Sequence, residues 1–222
     1  MLSHRRCKCS VNLAWRKIYS FYPDNEPVAW EQIPDGVILC QATDLWNNFT
    51  KMLCIRFLTD GRIEVTHILK NSGKKEMMIS LWGITTLCGG GSAEIPFTSK
   101  ASTVEEYQPR RVIVLWGNAS LADERLIFNQ DSIEVHHLLK KSSMKFGLCS
   151  SVGKMSAMNF GQKLTISFQP LLPEQCSDLG CNSEIFLNHD IMELETLGPK
   201  TLLEPGKSIE HREYWYVESI LG

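Results

Sequence analysis

The segment Ile191–Leu197 carries two carboxylates at a spacing that could support acid–base chemistry. Its sequence alternates apolar and acidic residues, so a β-strand here would place Glu193 and Glu195 on one face and Met192 and Leu194 on the other. Two carboxylates about 7 Å apart on a strand face can divide the roles of proton donor and acceptor, if that face lines a cleft. The same alternation is typical of a solvent-exposed sandwich strand, so both interpretations remain open.

Histidine and cysteine form no comparable arrangement. His67 shares an alternating strand face with Val65 and Leu69, which favours a hydrogen-bonded core position, whereas His211 begins a strand after a Pro-Gly turn, which favours the surface. The eight cysteines lie in scattered apolar contexts, without the C-x-x-C spacing or the nearby histidine pair of a zinc site. We therefore expect no metal and no other cofactor, mostly free thiols, and a reducing, cytoplasmic location.

The chain contains six tryptophans, an aromatic set that suits a sugar-binding groove as well as a sandwich core. They stand at positions 15, 30, 46, 82, 116 and 215. Other enzyme classes are excluded by their motifs: Gly-x-Ser-x-Gly is absent, and Gly89-Gly90-Gly91 lacks the Lys-Ser/Thr of a phosphate-binding loop.

The elements that must position these residues are β-strands. Period-two alternation recurs along the chain, and no window of ten or more residues has a helical apolar stripe. One predicted hairpin joins 51–58 to 62–69 through Asp60-Gly61, and a second joins 155–160 to 163–168 across Gly161-Gln162. Further strands are predicted at 37–42, 77–87, 111–116, 132–138, 146–149, 184–188, 191–197 and 211–218. Together they predict an all-β fold with two antiparallel sheets packed face to face.

Length and charge set the remaining expectations. The chain has 222 residues, 23 of them basic and 25 acidic, so neither nucleic acid nor an anionic membrane is favoured as a partner. Its longest apolar runs are far shorter than the roughly 20 residues of a membrane helix. Residues 1–20 are basic and cysteine-rich with no strand pattern and no signal-peptide core, so we expect the sandwich domain at 21–222.

The C-terminal part of the chain resembles the closing segment of the galactose mutarotase-like superfamily. The superfamily pattern is Leu-Glu-Thr, a spacer and Leu-x-Pro-Gly-Glu, and this chain has Leu194-Glu195-Thr196 followed by Leu203-Glu204-Pro205-Gly206-Lys207. The chain looks most similar to an uncharacterised bacterial branch, a domain of unknown function. Shorter matches follow in the same order from about residue 22: Tyr22-Pro23-Asp24-Asn25-x-Pro27-Val28, Val65-x-His67-x-Leu69-x-Asn71-x-Gly73, Trp82-Gly83-Ile84-Thr85, Gly90-Gly91, Pro96, Val114-Leu115-Trp116 and Asp123-x-Arg125.

The resemblance implies a β-supersandwich whose concave sheet binds carbohydrate. In the mutarotases the Glu of Leu-Glu-Thr is the general base that takes the proton of the anomeric hydroxyl, and Glu195 occupies that place. The candidate catalytic residues are therefore Glu195 and Glu193. The candidate substrate-binding residues are His4, Arg5, His67, Trp82, Trp116, Arg125 and Glu184.

Two departures from the superfamily pattern leave the function open between three alternatives. Trp82 or Gly83 stands where the mutarotases have their acid histidine, which leaves Glu193, His67 or His4 for that role. The strands that precede a Gly-Gly-His-Arg segment in the superfamily are absent, which would expose a sheet edge and favour a homodimer. The chain is then an aldose 1-epimerase-like isomerase with Glu195 as base, a non-catalytic sugar-binding module, or a degenerate truncated member without a ligand.

Overall fold

The computed structural model describes residues 8–12, 26–97 and 111–220, which form two antiparallel sheets. The first is a seven-stranded sheet in which one further strand, β16 (Thr201–Leu203), pairs with β6. Its order is β1 (Lys8–Asn12), β6 (Met77–Cys88), β15 (Ile191–Leu197), β14 (Ser183–Leu187), β11 (Met144–Leu148) and β8 (Ile113–Leu115).

The second sheet has ten strands. Its order is β2 (Ala29–Ile33), β3 (Gly36–Cys40), β4 (Phe49–Phe57), β5 (Ile63–Asn71), β17 (Ser208–Ser219), β13 (Gln162–Phe168), β12 (Lys154–Asn159), β7 (Ser92–Pro96), β10 (Ser132–His136) and β9 (Leu126–Phe128). Within the described ranges, helix is limited to two 3-10 turns, Pro173–Gln175 and Asp178–Gly180. The predicted all-β, two-sheet fold is confirmed, and no helix of the described residues is long and apolar enough to cross a membrane.

Both predicted hairpins form, and their turns show why. In the β4–β5 hairpin Gly61 has a φ of +83°, a conformation that glycine adopts without steric cost. In the β12–β13 hairpin the turn is Phe160-Gly161, with φ of +50° and +71°, and Asn159 pairs with Gln162. Positive φ at both central residues is typical of a two-residue type I′ turn. That turn lies one residue earlier than predicted, because Gln162 already belongs to β13.

The main core lies between the two sheets and is built by the inward faces of alternating strands. Met192 and Leu194 of β15 are buried there with Phe146 of β11, and Ile166 of β13 and Val135 of β10 belong to the same cluster from the other sheet. The apolar face predicted for residues 191–197 is therefore the inner face of the seven-stranded sheet. Its opposite face carries Glu193 and Glu195.

A buried polar cluster also lies between the sheets, and it corrects the expectation for His211. That residue is only 6% exposed, and its Nε2 lies 2.7 Å from the Thr196 hydroxyl. The same hydroxyl donates a short hydrogen bond to Glu213, which also accepts a 2.7 Å bond from the indole nitrogen of Trp215. The predicted core position of His67 is confirmed: it is 1% exposed and its Nε2 lies 3.5 Å from the Glu213 carboxylate.

Several strands were not predicted, because their sequences lack clear alternation. The strand β1 pairs with β6 over its whole length, so the expectation that residues 1–20 contain no strand is wrong for Lys8–Asn12. The strands β2, β7, β9 and β16 are short segments of three to five residues whose pairing comes from their neighbours in the sheet. The sequence also predicts a turn at Tyr22-Pro23-Asp24-Asn25 and a loop at 99–109, and both lie outside the described residues.

Candidate functional site

The candidate site lies on the outer face of the seven-stranded sheet, where the strand register brings three charged side chains together. Glu195 of β15 is directly opposite Glu184 of β14, and Glu184 is directly opposite Gly147 of β11. Lys145 is two residues before Gly147, so it projects from the same face as Glu184. Through these pairings Lys145 and Glu195, 50 positions apart in the chain, meet on one face of the sheet.

The ammonium group of Lys145 bridges the two carboxylates. Its Nζ lies 2.6 Å from Glu195 Oε2 and 2.7 Å from Glu184 Oε2. Glu184 and Glu195 are 0% and 1% exposed, whereas the Lys145 side chain is 12% exposed. The lysine is therefore the charged group of this trio that is nearest to the surface.

Two tryptophans enclose the ammonium group. Its Nζ lies 4.4 Å from the ring centroid of Trp82 and 4.8 Å from that of Trp116, within the range of a cation–π contact. Trp82 also donates a 2.6 Å hydrogen bond from its indole nitrogen to Glu195 Oε2. Both rings are half-buried, so each presents part of its surface to a ligand. We call Glu195, Glu184, Lys145, Trp82 and Trp116 the Glu195 site.

Burial shapes the protonation of this site. Burial raises the pKa of Glu184 well above its usual value, although Lys145 opposes the shift, so Glu184 takes up a proton at a higher pH than an exposed glutamate does. Neither Glu184 oxygen accepts a well-oriented hydrogen bond from the described residues, despite the close Nζ. Burial alone would lower the pKa of Lys145, but Glu184 and Glu195 raise it above its usual value, so the lysine is a cation at neutral pH.

A glycine makes room for the buried acid. A Cβ atom added to Gly147 would lie 2.9 Å from Glu184 Cγ and 2.9 Å from Cys181 Sγ, closer than such atoms normally approach. The absence of a side chain at this position lets Glu184 lie against the backbone of β11. Close approach of this kind is one of the reasons for a glycine inside a strand.

The predicted site residues separate into two groups. Glu195, Glu184, Trp82 and Trp116 come together in the Glu195 site. Glu193 projects from the same face one residue pair along β15, where it accepts a 3.2 Å hydrogen bond from the Thr86 hydroxyl.

The other predicted residues do not join the site. His67 lies between the sheets, on the side opposite to Glu195, because Thr196 points inward to the His67 cluster and its neighbour must point outward. Arg125 is 2% exposed and its guanidinium is held by Asp123 and by the Ser142 carbonyl, which is a structural role rather than the predicted contact with substrate. His4 and Arg5 fall outside the described residues.

The sequence interpretation missed Lys145. The sequence indication for this residue is that it stands between two apolar residues, Met144 and Phe146, which the structure buries completely. A charged residue on the second face of a core strand needs a partner, and two carboxylates on predicted strands were candidates. The sequence did not show that β11, β14 and β15 are neighbours.

No protein-family model and no curated protein matches this chain. Solved structures with the same fold do match. A candidate aldose 1-epimerase from Escherichia coli K12 superposes with a TM-score of 0.50 at 13% identity, over 86% of this chain and 68% of that one. An aldose epimerase homologue from C. elegans superposes with a TM-score of 0.51 at 9% identity, over 87% and 68%.

A third match is a TPR-domain containing protein from Parabacteroides distasonis, with a TM-score of 0.52 at 16% identity, over 87% of this chain and 35% of that one. This chain spans about two thirds of the length of the two epimerase-like structures. Identities this low establish shared architecture rather than shared activity. The two-sheet topology and these superpositions show that the chain has the galactose mutarotase-like fold.

Proposed function

We propose that the Glu195 site binds a carbohydrate and that Glu195 is the base of an aldose 1-epimerase-like reaction. The observation that supports this most is the surroundings of Glu195. The glutamate of the Leu-Glu-Thr motif contacts the indole nitrogen of Trp82 and the Lys145 ammonium, and that ammonium lies against the half-buried rings of Trp82 and Trp116, on a sheet of the galactose mutarotase-like fold.

The composition of the site suits a sugar. A pyranose has apolar C–H faces that stack on aromatic rings, and hydroxyl groups that need donors and acceptors around its edge. Trp82 and Trp116 supply the aromatic surfaces, and Lys145 and Glu195 supply a donor and an acceptor between them. Sites of this kind place a few polar groups against an apolar wall, which fixes the orientation of the ligand.

The way in which Glu195 is held supports the proposed base role. Its contacts with Trp82 and Lys145 both use Oε2, and Oε1 takes no hydrogen bond from the described residues. Oε2 therefore anchors the carboxylate, while Oε1 can take the proton of a sugar hydroxyl. A general base needs both this fixed geometry and reach to the proton.

A non-catalytic sugar-binding module is the second candidate. Gly83 stands near the place of the superfamily's acid histidine, and its Cα faces the buried cluster of Glu213 and His67, where no side chain fits. Trp82, the other residue near that place, donates a hydrogen bond from its indole nitrogen to Glu195. On this alternative the aromatic walls and Lys145 still bind a sugar, but no isomerisation follows.

Titration of tryptophan fluorescence with glucose, galactose and glucuronate, and with a soluble polysaccharide, tests the binding. We expect saturable quenching that Trp116→Ala abolishes and that Trp30→Ala leaves unchanged, because Trp30 is 70% exposed on the other sheet.

Polarimetry on freshly dissolved α-sugar then tests catalysis. Glu195→Gln should lower the rate by about 10² to 10⁴, and Glu218→Gln, on the exposed end of β17, should not. Absence of saturable binding for every sugar tried would contradict the proposed function.

A further inference from the structure

We propose that Lys145 is the proton donor of the Glu195 site, acting on the ring oxygen of the sugar while Glu195 acts on the anomeric hydroxyl. This inference rests on the proposed function and assigns the acid half of its chemistry. Neither the sequence motifs nor the structural matches assign any role to Lys145.

The geometry leaves one proton of the ammonium group for a ligand. An ammonium has three N–H donors. Lys145 donates one hydrogen bond to Glu195 Oε2, and its Nζ also lies 2.7 Å from Glu184 Oε2 in an ion pair without well-oriented hydrogen-bond geometry. At least one N–H therefore has no acceptor among the described residues, and the side chain is more exposed than either carboxylate. A sugar held against the two indole rings would meet this N–H beside Glu195.

The position of Nζ is also well defined. Two carboxylate contacts of 2.6 and 2.7 Å and two indole faces at 4.4 and 4.8 Å surround it. A free lysine side chain has large conformational freedom, and these four contacts remove most of it before the ligand arrives. Glu184, fully buried behind the ammonium, is a positioning residue.

Other titratable groups near the site are poorly placed for the donor role. Glu184 is 0% exposed, and Cys181, beside it, is a buried thiol whose pKa is raised by burial. His67 lies on the other side of the sheet, between the two layers.

The proposed step is balanced within the sugar and the two side chains. Glu195 takes the proton of the C1 hydroxyl, and the electron pair of that O–H bond forms the carbonyl. The C1–O5 bond breaks with its pair going to O5, which takes a proton from Lys145 Nζ. After rotation about the C1–C2 bond the same transfers run in reverse, so the ring closes as the other anomer and both residues recover their starting protonation.

The charge state of Lys145 agrees with this role. The two carboxylates raise the pKa of the ammonium, so it carries its proton through the neutral range. The group that it protonates is a departing alkoxide, which is a stronger base than an amine. A donor with a raised pKa is therefore still acidic enough for this leaving group.

Lys145→Arg is the most informative variant. It keeps the positive charge between the two carboxylates and the indole faces, but a guanidinium does not lose a proton in proteins. We expect sugar binding within a few-fold of wild type and a mutarotation rate lower by about 10² or more. Lys154→Arg, an exposed lysine on β12, is the control and should match wild type in both.

A double variant, Lys145→Met with Glu184→Gln, removes the donor without leaving Glu184 as a buried unpaired charge. Thermal unfolding reports whether it folds, and it should show the same loss of rate. The pH profile adds a further readout, because a lysine donor keeps wild-type activity flat from pH 7 to 9, whereas an ordinary histidine donor would lose it above about pH 6.5.

The outcomes separate this inference from the proposed function. A wild-type rate in Lys145→Arg would overturn the donor role while Glu195→Gln still tests the base. Saturable sugar binding without any mutarotation would overturn the donor role and leave the binding module. No sugar binding at all would overturn both.

Discussion

The hydroxyl of Thr196 donates a hydrogen bond to the carboxylate of Glu213, across the gap between the two sheets. Because neighbouring residues of a strand point to opposite faces, this bond also fixes the outward direction of Glu195. A slip of β15 by one residue would turn Glu195 toward the gap between the sheets and Thr196 toward the outer face. The buried cluster and the Glu195 site are thus set by one strand register.

Replacing Thr196 by valine tests this link. Valine has nearly the same shape but no hydroxyl, so Glu213 loses one donor and His211 loses its acceptor. Leaving buried polar groups without partners costs about 1 to 3 kcal/mol each, and we expect Thr196→Val to lower the free energy of unfolding by at least that amount. Urea denaturation measures it.

Thr43→Val is the matched control. Thr43 is exposed, and its hydroxyl bonds only to that of Thr50 in the described structure, so its loss should change stability by less than about 0.5 kcal/mol. Equal effects of the two substitutions would contradict the structural importance of the Thr196–Glu213 bond.

Gly83→Ala tests how tightly the buried cluster is packed. The added Cβ would lie 2.7 Å from Glu213 Oε1 and 2.9 Å from His67 Nε2, so these side chains must shift. Overpacking of this kind costs about 1 to 3 kcal/mol, which thermal unfolding would show as a lower Tm. Gly117→Ala provides the comparison, because a Cβ there meets nothing within 4 Å. A Tm for Gly83→Ala equal to that for Gly117→Ala would argue against the packing.

The sequence predicted those parts of the fold in which local pattern and tertiary role agree. Residues 191–197 alternate cleanly and form a strand with those bounds, and Asp60-Gly61 forms the turn of the predicted hairpin. The buried position of His211 was missed, because it depends on a partner, Thr196, on the opposite sheet. Local propensity contains no information on such a contact.

The candidate site was predicted in part, for the same reason. Glu195 was assigned from its motif, but the bridge from Lys145 to Glu184 depends on the order of β11, β14 and β15 in the sheet. Arg125 was expected to bind substrate, yet its close partner is Asp123, two residues away in the chain. The short-range ion pair with Asp123 holds the guanidinium of Arg125, which the motif alone had suggested as a ligand contact.

Glu184→Gln should change how stability depends on pH. The pKa of Glu184 is raised in the folded protein by burial, so the folded state holds a proton that the unfolded state loses above about pH 4.5. This contribution is favourable at low pH and declines as pH rises from there. The variant has no such proton to lose, so its stability relative to wild type should increase between pH 5 and 8.

Urea unfolding at several pH values measures this change in relative stability, with Glu218→Gln as the exposed control. A constant difference across that range would contradict the burial of an acid at position 184.

The ionisation of His211 should make stability depend on pH in the opposite direction. Burial lowers its pKa from 6.5 to about 4, although the charge of Glu213 opposes the shift and that of His67 adds to it. The unfolded state therefore binds a proton between pH 6.5 and 4 that the folded state does not, so stability is full above pH 6.5 and falls as pH decreases through this window. The loss amounts to about 3 kcal/mol by pH 4.

His211→Gln tests this contribution, because its side-chain amide can still donate to Thr196 but does not titrate. We expect its urea midpoint to change less than that of wild type between pH 7 and 4. The charged groups facing the ring, Glu213 from the same strand and His67 from β5, remain in both proteins, so the difference between them isolates His211. His136→Gln, at a histidine whose side chain is 48% exposed, should follow wild type. Parallel curves for wild type and His211→Gln would show that position 211 titrates alike in the folded and unfolded chains, and would contradict its buried, neutral state.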